Sequence, residues 1–208
     1  MFRDCTGGLS LAPPTDLEPP SMSRLRFLLP AFATAATAMA AVPAASSAAT
    51  TCGGARLRPT VSRTAQARHA TLCLLNRERT RHGLPRLRLQ VSLTHAAVKY
   101  SHLMVRQGFF GHVSPGGSTV AQRIKHTRYL RGVRSWSLGE NLAWGSGSAS
   151  TPAQIVSAWM RSPGHRRNIL DRGFREIGIG LAPGAPRRAG SSVAGATYTT
   201  DFGRRQHR

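Results

Sequence analysis

Residues 176–203 read EIGIGLAPGAPRRAGSSVAGATYTTDFG, and how this stretch folds decides the fold class. Two runs in it, EIGIGLA from Glu176 and ATYTTDFG from Ala196, have the composition of strands, and the Pro/Gly/Arg segment between them is a loop. Paired strands that follow a helical first half predict an α+β fold, a sandwich of helices around a small antiparallel sheet.

The helical half is legible upstream. Ala67, Ala70, Cys73 and Leu74 mark one face of a helix running to about His82, where Gly83 and Pro85 stop it. A second helix is expected from Ser92 as N-cap, with Leu93, Ala96, Ala97, Tyr100, Leu103 and Met104 on its inner face and Gly108 at its end. Ser118 is the expected cap of a shorter helix that turns Val120 and Ile124 inward. Residues 136–144, WSLGENLAW, alternate as a strand, which puts the carboxylate of Glu140 in a row with Trp136, Leu138, Leu142 and Trp144. Thr151 and Pro152 then open a helix carrying Ile155, Val156, Trp159 and Met160.

With 208 residues, 40% of them hydrophobic, one domain is the default. The charge is unusual: 29 Lys and Arg face 8 Asp and Glu, a net charge of +21. That balance attracts polyanions. Nucleic acid is disfavoured, since no zinc knuckle, helix-turn-helix or RNA-binding sheet signature accompanies the arginines. Anionic cell-envelope polymers or lipids are the expected partners.

From Met22 the chain carries Arg24 and Arg26, then an apolar stretch from Phe27 to Val42, then small residues. That order predicts a signal peptide over 22–49 and a secreted protein, with an uncleaved membrane anchor as the alternative. Residues 1–21 are polar and unlike an export signal, which points to Met22 as the start of translation or to a disordered extension. Residues 50–61 are read as a linker and 62–208 as the domain. Export would leave Cys52 and Cys73 as a pair, expected as a disulfide, the other reading being a buried free thiol at Cys73.

Polar residues stand where turns or apolar groups are expected in FFGHVSP, GEN, SPGH and YTTDFG. Pro163 and Gly164 predict that His165 is aimed by a rigid stop and does not ride on a helix face. His112 is similarly placed between Gly111 and Ser114-Pro115. Two imidazoles and a carboxylate can hold a divalent ion such as zinc or act as acid and base. Ser114 and Ser162 precede prolines and have no assignable acid partner, so a Ser-His-Asp mechanism is not expected.

The ordered set NRERTRHGLPRLRL, FFGHVSPGGS, GENLAWG, AWMRSPGHRRNIL, REIGIGLA and TYTTDFG, from Asn76 to Gly203, resembles the bacterial branch of the CAP superfamily. These are the SCP-like extracellular proteins related to cysteine-rich secretory proteins, antigen 5 and plant pathogenesis-related proteins. The resemblance implies one α-β-α sandwich with a cleft lined by His112, Glu140 and His165, in which zinc or another divalent metal would take His112 and His165 as ligands. It also implies a reduced acidic set, since Arg161 and Ser162 stand where other members carry a glutamate after the helix tryptophan. The expected function is an extracellular binding module for a small or lipid-like ligand. A metal-assisted hydrolase of peptides or cell-wall material and a purely structural His/Glu network stay open as alternatives.

Overall fold

Strand β3, Glu176–Pro183, turns Ile177, Ile179 and Leu181 to one side of the sheet and Gly178 and Gly180 to the other. The computed structural model describes residues 51–186 and 194–207. The leader and signal segment expected over 1–49 lie outside the described residues. β3 pairs antiparallel with β4, Gly195–His207, and β4 pairs antiparallel with β2, Val133–Ser146. On its other edge β3 meets the two-residue strand β1, Arg88–Leu89, in parallel.

The sheet order is therefore β1-β3-β4-β2, and the sheet is mixed where an antiparallel one was expected. The chain is pinned just before β1. Buried Asn76 donates from Nδ2 to the Leu87 carbonyl at 3.0 Å and accepts from the Leu87 amide at 2.7 Å, fixing how the chain enters the sheet.

Helices cover both faces. On the isoleucine side lie α1 (Thr64–Arg81), α4 (Pro152–Arg161) and α5 (Pro163–Leu170), which bury Leu74, Leu75, Ile155, Trp159 and Ile169 against Ile177, Ile179, Tyr198 and Phe202. On the glycine side lies α2, Val91–Gln107, with the short α3, Val120–Lys125, beside it. The glycines let α2 touch the sheet backbone to backbone. A Cβ on Gly178 would stand 2.1 Å from the Leu93 carbonyl carbon, and one on Gly180 2.1 Å from the Ala97 oxygen. This is the expected α-β-α sandwich.

Several local expectations shift by a residue or two. α2 is capped by the Gln90 side chain, which accepts from the Leu93 amide, and it ends at Gly108 with φ 65°. Thr119, not Ser118, caps α3 and forms a reciprocal capping box with Gln122. Thr151 and Pro152 open α4 as expected.

Residues 51–61 are folded onto the domain and do not behave as a linker. Cys52 is bonded to Cys73 with Cα atoms 5.7 Å apart, and the Ala55 carbonyl accepts from the Ala153 amide at 2.9 Å. Closing a loop of 21 residues contributes about 3 kcal/mol through the unfolded chain.

Arg79 is fully buried, and its hydrogen bonds among the described residues go to main-chain oxygens. It donates to four backbone carbonyls, Pro85, Ile169, Asp171 and Phe174, at 2.7 to 3.2 Å. One guanidinium thus joins α1 to the end of α5 and the start of β3.

Candidate functional site

Glu140 lies in β2 on the sheet face that α2 and α3 cover, and its side chain is only 3% exposed. His112, in the loop between those helices, places Nδ1 2.8 Å from Glu140 Oε1. An ionised carboxylate can only accept, so Nδ1–H is the donor of this bond. Arg123 of α3 places Nη2 2.5 Å from Glu140 Oε2. The same guanidinium donates from Nη1 to the carbonyls of His112 and Ser118 and stacks 3.3 Å from the centroid of the Tyr100 ring. Tyr100 donates to the Gly111 carbonyl at 2.6 Å, and burial pushes its phenol up to about 12. One carboxylate therefore ties strand, helix and loop together.

His165 is placed differently from expectation. Ser162 is extended, with φ −90° and ψ 119°, and separates α4 from α5, so Pro163 starts a second helix instead of ending the chain's helical run. His165 rides in the first turn of α5. Its backbone carbonyl accepts from Asn141 Nδ2 at 3.0 Å, and Asn168 of the same helix donates to Asn141 Oδ1 and to the Glu140 carbonyl. The GEN segment is thus shared: Glu140 holds His112 and Arg123 on one side, while Asn141 holds α5 on the other.

The second carboxyl at the site comes from Asp201 of β4. It pairs with Glu140 across the strands and is fully buried. Burial first, then the charge of Glu140, push Asp201 well above the usual carboxylate range, and Arg123 offsets part of this. Strand alternation within YTTDFG carried the signal for Asp201. Arg123 and Tyr100 had no local signal beyond helical spacing.

Glu140 has no oxygen free to offer a dication. Both oxygens of Glu140 are engaged, one of them by a cation, and among the described residues no group of three or more His, Cys, Asp or Glu side chains is placed to hold a metal ion.

Against this network lies a cavity of about 440 Å³ between α2 and α3. Ala96, Tyr100 and Leu103 give it an apolar floor, and Lys99, Arg106 and Arg123 stand among its cationic lining. The floor and the Glu140 network share Tyr100 and Arg123, so a ligand in the cavity touches the same side chains that hold His112 in place.

The profile of the family described as CAP, cysteine-rich secretory protein family, matches residues 72–200. The protein YkwD of Bacillus subtilis (strain 168) is 36% identical over 107 residues, which are 51% of this chain and 39% of YkwD. An extracellular protein containing a SCP domain from Bacillus anthracis str. Ames has a crystal structure that superposes with a TM-score of 0.53 at 25% identity, covering 69% of this chain and 43% of that one. An outer surface protein of Borrelia burgdorferi, at 21% identity and a TM-score of 0.52 over 64% of this chain and 87% of its own, shares the fold. The chain spans less than half the length of either Bacillus protein. The matched profile covers most of the sandwich described above, from within α1 to the residue before Asp201, and the chain belongs to the cysteine-rich secretory protein (CAP) family.

Proposed function

We propose that the chain is an extracellular binding module whose cavity between α2 and α3 holds a small amphiphilic ligand. The observation that carries this reading is the cavity itself: an apolar floor large enough for an acyl-sized group, ringed by cations that suit an acidic head. Export is supported by the Cys52–Cys73 disulfide, a bond that persists in oxidising compartments, and by the likeness to a Bacillus protein described as extracellular. The Glu140 network supports binding over hydrolysis. A general base needs a free oxygen within reach of water, and both oxygens of Glu140 are held by His112 and Arg123.

A fluorescent hexadecanoic acid tests the reading. Saturable binding by the chain is expected, weakened at least about tenfold by Leu103→Trp, which fills the cavity floor. No saturation, or equal binding by the variant, rejects it.

A further inference from the structure

A second depression, of about 660 Å³, opens beside the cavity and shares His126 and Thr127 with it. Its lining includes Lys125, Arg128, Arg131 and Trp136 and no carboxylate. All four side chains belong to exposed residues, and Trp136 is 45% exposed. The indole belongs to β2, an edge strand of the sheet, two residues along the same face from Leu138 and four from Glu140. Across the ladder from it, Arg205 is already committed to Glu176 and the Tyr129 carbonyl. Lys125, Arg128 and Arg131 therefore set the charge of this groove.

We infer that the groove between the α3–β2 loop and Trp136 is a docking surface for an acidic polysaccharide. Trp136 stacks on the apolar face of a sugar ring, and Arg128 and Arg131 bind its carboxylates through charge-assisted hydrogen bonds. Charge complementarity selects an anion, since the lining carries Lys125, Arg128 and Arg131 and no carboxylate. A single indole suits one ring at a time. It differs from the row of aromatic platforms with which proteins track single-stranded nucleic acid. A membrane surface is less well matched, because the indole lines a hollow, whereas the more exposed apolar side chains Val61 and Val91 belong to other elements. The inference stands on different side chains from the cavity reading, because Trp136, Arg128 and Arg131 do not line that cavity.

The experiment titrates the full chain with polygalacturonate, with poly(glycerol phosphate) as a ring-free polyanion, with a single-stranded oligonucleotide and with phosphatidylglycerol vesicles. Polygalacturonate is expected to bind best, to quench tryptophan fluorescence and to weaken with added salt. Trp136→Ala is expected to weaken binding about tenfold and remove the quench, while Trp136→Phe keeps most of the affinity. Arg128→Gln with Arg131→Gln is expected to weaken it at least as much, and hexadecanoic acid binding is unchanged in all three variants. Equal or tighter binding of poly(glycerol phosphate), the oligonucleotide or the vesicles overturns the inference, as does full affinity in Trp136→Ala.

Discussion

Asp201 stands directly across the β2–β4 ladder from Glu140, so two carboxyl groups lie side by side on one face of the sheet, and Arg123 pairs with Glu140 alone. An acid whose value is raised on folding binds its proton more tightly in the folded chain. Its contribution is favourable below the ordinary value of 3.8 and is lost as pH rises from there toward the folded value. Thermal melts from pH 4 upward are therefore expected to show a decline in the wild type that is shallower in Asp201→Asn. Parallel profiles for the two proteins count against a protonated Asp201.

Arg123 is the counter-charge of a nearly dry carboxylate, the two side chains being 10% and 3% exposed. Removing one partner leaves the other buried and uncompensated, so Arg123→Met is expected to cost about 3–5 kcal/mol in urea unfolding. Adding Glu140→Gln to that variant removes the stranded charge and recovers part of the loss. A double variant no more stable than Arg123→Met would show that the pair is not coupled.

Arg79 satisfies four carbonyls that no shorter side chain reaches together. Arg79→Lys keeps the charge but not the planar fork, and is expected to lose about 2–3 kcal/mol. Hydrogen exchange should place the damage in α5 and the start of β3, far from position 79 in sequence.

Gly178 and Gly164 separate two effects of the same substitution. Gly178→Ala drives a methyl into the α2 backbone and is expected to destabilise by about 1–3 kcal/mol or to displace the helix. Gly164→Ala meets nothing within 4 Å inside α5 and should be neutral or stabilising by up to about 1 kcal/mol. Equal midpoints for the two variants in denaturant titration would refute the close contact.

What could be read from the chain alone was what neighbours decide. Thr151, Pro152 and Gly108 mark helix ends within a few residues of themselves, and the GEN segment reads as a strand by alternation and TYTTDFG by composition. Cys52 and Cys73 were paired correctly because export leaves few choices. Arg79 was invisible because three of its four acceptors lie 90 or more residues away. Asp201 cannot be placed from the sequence, since its partner lies in a strand 61 positions upstream whose register only the folded sheet fixes. Pro163 misled for a specific reason: a proline ends one helix and starts another equally well, and only Ser162's extended backbone tells which.

The glycine side of β3 gives the cavity one hard wall and one soft one. α2 sits backbone on backbone against the sheet and has no room to settle closer or to absorb a bulkier residue below it. The opposite wall, α3, is six residues long and is held by its capping box, Ile124 and the grip of Arg123. Relatives that accommodate guests of different girth would therefore be expected to diverge in α3 and its flanking loops, with the floor of the sandwich kept bare.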